Sequence, residues 1–146
     1  MLFLLYAFPC TDIRFNIGKI TSEQKDELTR LVSEKIVPSR ELLIACFPDA
    51  FHKIERFAKA RDCDPWDHEL VSFYWRYHHV GDENTPVSHR EVVNIIENPR
   101  GGKQIIVAKE ILGNKDLFAV NEYDLLLEQG DHITVHAFFA VEKIAK

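Results

Sequence analysis

The chain has 146 residues, enough for one ordinary domain or two very small ones. Hydrophobic residues make up 46% and charged residues 28%, a globular mix rather than a disordered one. The formal charge of −5 lacks the basic footprint of a nucleic-acid binder, and Lys103, Lys109 and Lys115 are interspersed with acids.

The first residues, Leu2 to Phe8, form an apolar run ended by Pro9. The run is too short to span a bilayer and has no basic flank, so it predicts neither a membrane span nor a signal peptide. A buried, short extended or irregular segment is expected. Thr11 to Ile20 carries few signals beyond a turn at Gly18. Thr21 is a good N-cap with Gln24 at the capping-box position, and Leu28, Leu31, Val32, Lys35 and Ile36 follow as one helical stripe, stopped by Pro38. Ser39 caps a second helix, Arg40 to Phe47, apolar nearly all round and therefore expected to be buried. Pro48 opens a third, with Phe51, Ile54, Phe57 and Ala58 inward. Asp64 and Pro65 open a fourth, reaching about His79, with Asp67 and Glu69 in its first turn. Its Trp66, Leu70, Phe73, Tyr74 and Tyr77 read as core packing at the centre of the helical half.

After His79 the period changes. Val80 to Pro86 is a turn-rich connector, and short β-like runs follow. They are Val87 to Ile96, Gln104 to Leu112 and Leu117 to Val120, with turns at Asn98–Gly102 and Gly113–Asn114. Tyr123 to Leu127 reads as a short strand or a helical turn. A last strand is expected from Asp131 to Ile144, after a turn at Gln129, Gly130 and Asp131. Ile133, Val135, Ala137, Phe139 and Val141 fall on one face of it. His132, Thr134, His136, Phe138 and Ala140 fall on the other, expected to be half solvated. Short strands at this spacing predict a small closed barrel. The fold class is therefore α+β, with a helical region over 1–79 and a small β-barrel over 80–146.

Gly130, Asp131, Val135, His136, Phe139, Ala140 and Val141 stand as in the last barrel strand of the hydrogenase-assembly chaperones of the HypC/HupF type, which this stretch resembles. Ala137 stands in place of that family's valine, and Phe138 in place of its glycine. The resemblance implies an OB-like barrel. It also implies a chaperone-like accessory role in nickel–iron hydrogenase maturation. The implied partner is the hydrogenase large subunit precursor or the iron-loading scaffold protein. His136 takes the place of the histidine that, with an N-terminal cysteine, is associated with handling iron in that family. A thiolate and an imidazole are sensible ligands for iron. The cysteine has no counterpart, since Gly81 to Pro86 contains none. His136 is thus the candidate metal ligand, with iron as the ion to test, and His136 and Phe138 are the candidate partner-binding residues. The other reading of His136 is a core-edge residue with a satisfied ring. Oligomerisation is left open.

The three cysteines, Cys10, Cys46 and Cys63, are odd in number and widely spaced, which argues against a disulfide framework and predicts a cytoplasmic, reducing location. A second constellation lies at the junction: Cys63, His68, His78, His79 and His89, with Asp62, Asp64 and Asp82. His68 and His79 on one helix would sit three turns, about 16 Å, apart, too far to share a metal. No spacing matches CxxC or HExxH. His79 could instead meet helix carbonyls at the C-terminal dipole. No GxSxG, Walker loop or GxGxxG occurs, so a non-catalytic protein is the leading reading. Two alternatives stand beside it. One is an unrelated binding module on the same barrel, for a small molecule or a nucleic acid, with Phe118, Tyr123 and Phe138 as the stacking platform that single strands would need. The other is a metal-dependent enzyme using the junction histidines.

Overall fold

The computed structural model describes residues 1–79, 87–98, 101–111 and 115–145. The Val80–Pro86 connector, Pro99 and Arg100 of one expected turn, and the Leu112–Asn114 strand end lie outside the described residues. The chain divides into two units, Met1–His78 and His79–Lys146.

The first unit is helical. Leu2–Ala7 form α1, not the extended or irregular segment expected. The reason is packing: Phe3, Leu4, Tyr6 and Ala7 are all buried, at spacings that only a helix turns to one side. A 3₁₀ turn, Phe8–Cys10, leads into α2, Thr11–Asn16, where little structure was expected. Gly18 then takes a positive φ of 70°, as the turn there requires.

Helix α3, Ser22–Ser33, begins at the expected capping box. The Thr21 hydroxyl accepts from the Gln24 amide at 3.2 Å, and the Gln24 side chain accepts from the Thr21 amide at 2.9 Å. The helix stops before Pro38 is reached. Lys35 enters the left-handed region at φ 56°, and the Ile36 and Lys35 amides donate back to Leu31 and Val32. That paired closure satisfies the last carbonyls, so the stripe ends at Val32 rather than Ile36.

Helix α4, Arg40–Cys46, is capped by Ser39, whose hydroxyl accepts from the Leu42 amide. Only Leu43 and Cys46 are fully buried on it, so it lies half in the core rather than wholly inside. Helix α5, Pro48–Arg61, starts at Pro48 and buries Phe51, Ile54 and Ala58. Asp62, at φ 53°, ends it.

Helix α6 covers only His68–Phe73, then passes into a π-helical turn, Tyr74–His78. Its start is three residues later than Asp64-Pro65 predicts. The Asp64 carboxylate instead accepts from the Trp66 amide in a local turn, and Asp67 is the N-cap, accepting from the Leu70 amide at 3.0 Å. The π turn shifts the face of the helix by one residue. Trp75, which the helical stripe leaves out, becomes the largest fully buried side chain, stacked on Tyr6 with centroids 5.8 Å apart. Tyr77, expected in the core, is exposed.

The second unit is a closed, OB-like barrel of five strands in the order β1-β2-β3-β5-β4. They are β1 Val87–Ile96, β2 Ile105–Glu110, β3 Asp116–Val120, β4 His132–His136 and β5 Phe139–Ile144. Neighbours are antiparallel except β3 and β5, which run parallel and meet at Val120 and Phe139. The interior is filled by Val92, Ile106, Ala108, Ala119, Ile133, Val135 and Ala140. The three alanines fit the narrow bore beside larger aliphatic groups. Register shifts in the β1–β2 ladder beyond Val92 and in the β4–β5 ladder beyond Thr134 bend the sheet toward closure.

Asp131 to Ile144 is not the single strand expected. It folds back on itself as the β4–β5 hairpin, with Ala137 and Phe138 as the two-residue loop and Ala137 at φ 54°. Pairing with β1 on one side and β5 on the other outweighs the absence of any glycine or asparagine at the turn. Tyr123 to Leu127 forms neither strand nor helix. This segment lies over the barrel core, with Leu125 and Leu127 packed against it. Asn121 fastens its start. The Asn121 amide group donates to Gln104 Oε1 and to the Leu125 carbonyl, both at 2.9 Å, and its oxygen accepts from the Leu125 amide at 2.8 Å. Asp131 fastens its end, accepting from the Glu128 amide at 2.7 Å and pairing with Lys143 at 2.8 Å.

Candidate functional site

The β4–β5 hairpin positions His136 and Phe138 very differently. His136 is the last residue of β4, held in register with Val87 of β1 and Phe139 of β5. It is fully buried, at 0% exposure, rather than half solvated. Thr134 is buried as well, so β4 is covered on both faces. Phe138 sits at the hairpin tip and is 65% exposed. Its carbonyl accepts from the Val120 amide at 2.7 Å, so the tip is tied to β3 while the ring points away into solvent.

The ring of His79 stands edge-on to that of His136, with centroids 5.1 Å apart and planes at 81°. A ligand nitrogen of each lies within 4.8 Å of the other. Two imidazoles so placed can share a proton or offer two nitrogen donors to one metal ion. Fifty-odd residues separate them, and no local pattern links them. The sequence offers His79 as a helix cap or as a member of the junction constellation, and its pairing with His136 shows only in the tertiary structure.

The rest of the junction constellation is engaged locally. Cys63 is exposed, its amide donating to the Ala58 carbonyl at the end of α5. His68 opens α6. His78 packs on Phe57 and Phe73, at 4.5 and 4.8 Å between centroids. Asp64 serves the turn at Trp66 and pairs with Arg40 at 3.4 Å. His89 lies within β1 opposite Thr134. Asp82 lies outside the described residues.

The three proposed stacking aromatics are not one platform. Tyr123 stacks on Phe139, at 6.4 Å, leaving Phe118 at 63% and Phe138 at 65% exposure. Leu126, on the segment over the core, is 91% exposed. The barrel surface thus presents separate apolar side chains on β3, on the hairpin tip and on the covering segment. No helix among the described residues is long and apolar enough to cross a membrane. The fold and site together define a small closed barrel in which a buried histidine, His136, meets a half-buried one, His79, following a helical unit. Comparison with protein-family models, curated proteins and solved structures found no match.

Proposed function

We propose that this is a non-catalytic accessory protein related to nickel–iron hydrogenase maturation, which binds a protein partner through the hairpin end of its barrel. The partner is the hydrogenase large subunit precursor or the iron-loading scaffold protein, met in the cytoplasm. One observation carries the reading. The residues that resemble the HypC/HupF type, Gly130 to Val141, coincide with the β4–β5 hairpin, whose tip holds the exposed Phe138. A large apolar side chain at an exposed hairpin tip is a ready anchor for a pocket on a partner. His136 is buried, so it contributes from within: it and His79 would supply two nitrogen donors to iron carried as cargo. Imidazole suits iron, and a pair of donors leaves the other coordination positions to the partner.

The test is an anaerobic pull-down of the full chain from the native cell, with mass spectrometry and an iron assay of the same eluate. Wild type is expected to recover one of the two partners. Phe138→Ser is expected to lose it while staying folded, and His136→Ala to lower the iron. Recovery of neither partner by the folded wild type would overturn the reading. The binding-module alternative for single strands needs a joined aromatic face, and Tyr123 is committed to Phe139. A gel shift at low salt would separate the two.

A further inference from the structure

A cleft of about 440 Å³ opens on the helical unit, lined by Lys53, Arg56, Phe57, Ala60, Tyr74 and His78. Its size is that of a small-molecule site. Its construction follows from the helix: residues 53, 56, 57 and 60 recur at three- and four-residue spacing along one stripe of α5. The π turn at Tyr74–His78 supplies the facing wall.

The chemistry of the lining is one-sided. Two basic side chains, Lys53 and Arg56, line it, and among the described residues no carboxylate does. Among the described residues neither cation has an ion pair or hydrogen bond. The acids of α5 are committed elsewhere, Asp49 to Arg14 at 3.6 Å and Glu55 to Lys59 at 3.7 Å. Phe57 and Tyr74 form an aromatic wall, and the His78 ring lies against Phe57. Burial pushes the Tyr74 hydroxyl up to about 12, so it adds no negative charge at neutral pH.

We propose that this cleft binds a phosphate monoester carrying a flat apolar ring, its phosphate between Lys53 and Arg56 and its ring against Phe57 and Tyr74. A dianion matches two fixed cations, and the guanidinium fork of Arg56 suits phosphate oxygens. A flat ring matches the aromatic wall. The inference is independent of the barrel and of its partner.

The test is an NMR titration of the full chain with phenyl phosphate, alongside inorganic phosphate and benzyl alcohol as separate probes. Saturable amide shifts confined to residues 53–60 and 74–78 are expected with phenyl phosphate, and weaker ones with either probe alone. Lys53→Ala and Arg56→Ala each change an exposed side chain, so the fold is retained. Each is expected to weaken phenyl phosphate binding about tenfold. Added salt is expected to weaken it in wild type. The proposal is overturned if phenyl phosphate gives no saturable shift at millimolar concentration, or if both variants bind it as wild type does.

Discussion

Replacing Asn121 by alanine tests the claim that one side chain holds the covering segment onto the barrel. Asn121 is 2% exposed and makes three side-chain hydrogen bonds at 2.8–2.9 Å, two of them to the backbone of Leu125. Its own amide also donates to the Gln104 carbonyl at 2.9 Å, and alanine keeps that bond. Each lost bond is worth about 1 kcal/mol net, so the three together cost about 3 kcal/mol. For a chain of this size that lowers the thermal midpoint by about 6–12 °C. Asn121→Asp keeps the acceptor for the Leu125 amide. It loses both donors and turns a carboxylate toward the Leu125 carbonyl, so it is expected to cost at least as much. Urea unfolding gives the stability, and hydrogen exchange at the Leu125 amide reports the local effect. Leu125 is expected to lose protection in both variants before the strand amides of β4 do. The reasoning fails if Asn121→Ala stays within about 0.5 kcal/mol of wild type, the range of an ordinary surface change. It also fails if the Leu125 amide keeps its protection.

Two further outcomes follow from single residues. Ala137 holds a positive φ at the hairpin loop, a strained conformation for a side chain with a Cβ. Ala137→Gly is therefore expected to raise stability by up to about 1 kcal/mol in urea unfolding, net of the greater freedom of glycine in the unfolded chain. Tyr74 is raised to about 12 by burial first, then by the neighbouring Cys10 and Asp49 charges. The folded chain keeps the phenolic proton where the unfolded chain, near pH 10, has lost it. The stability this gives is full below about pH 10 and is lost as pH rises through about 12, a fall of about 2–3 kcal/mol. Tyr74→Phe is expected to remove that part of the alkaline decline when midpoints are compared across the window, and an unchanged slope would refute it.

Whatever depends on a few neighbouring residues is legible in the local pattern of the chain. The capping box at Thr21 and Gln24, the Ser39 cap and the Pro48 start are local, because a cap acts across three residues and needs nothing from the rest of the chain. The β-runs from Val87 onward, and hence the α+β class with its small barrel, were legible from alternation and turn spacing. Local pattern misleads where two structures share it. The run at Leu2 suits strand or helix equally, and the helical unit chose helix because that buries Phe3, Leu4, Tyr6 and Ala7 together. The chain from Asp131 to Ile144 alternates as one strand would. Only cross-strand pairing breaks it at Ala137 and Phe138. The same break buries His136 and exposes Phe138, two residues that one continuous strand would have left on the same face. The meeting of His79 with His136, and the grip of Asn121 on Leu125, belong to the tertiary structure alone. Both join side chains that no local period relates.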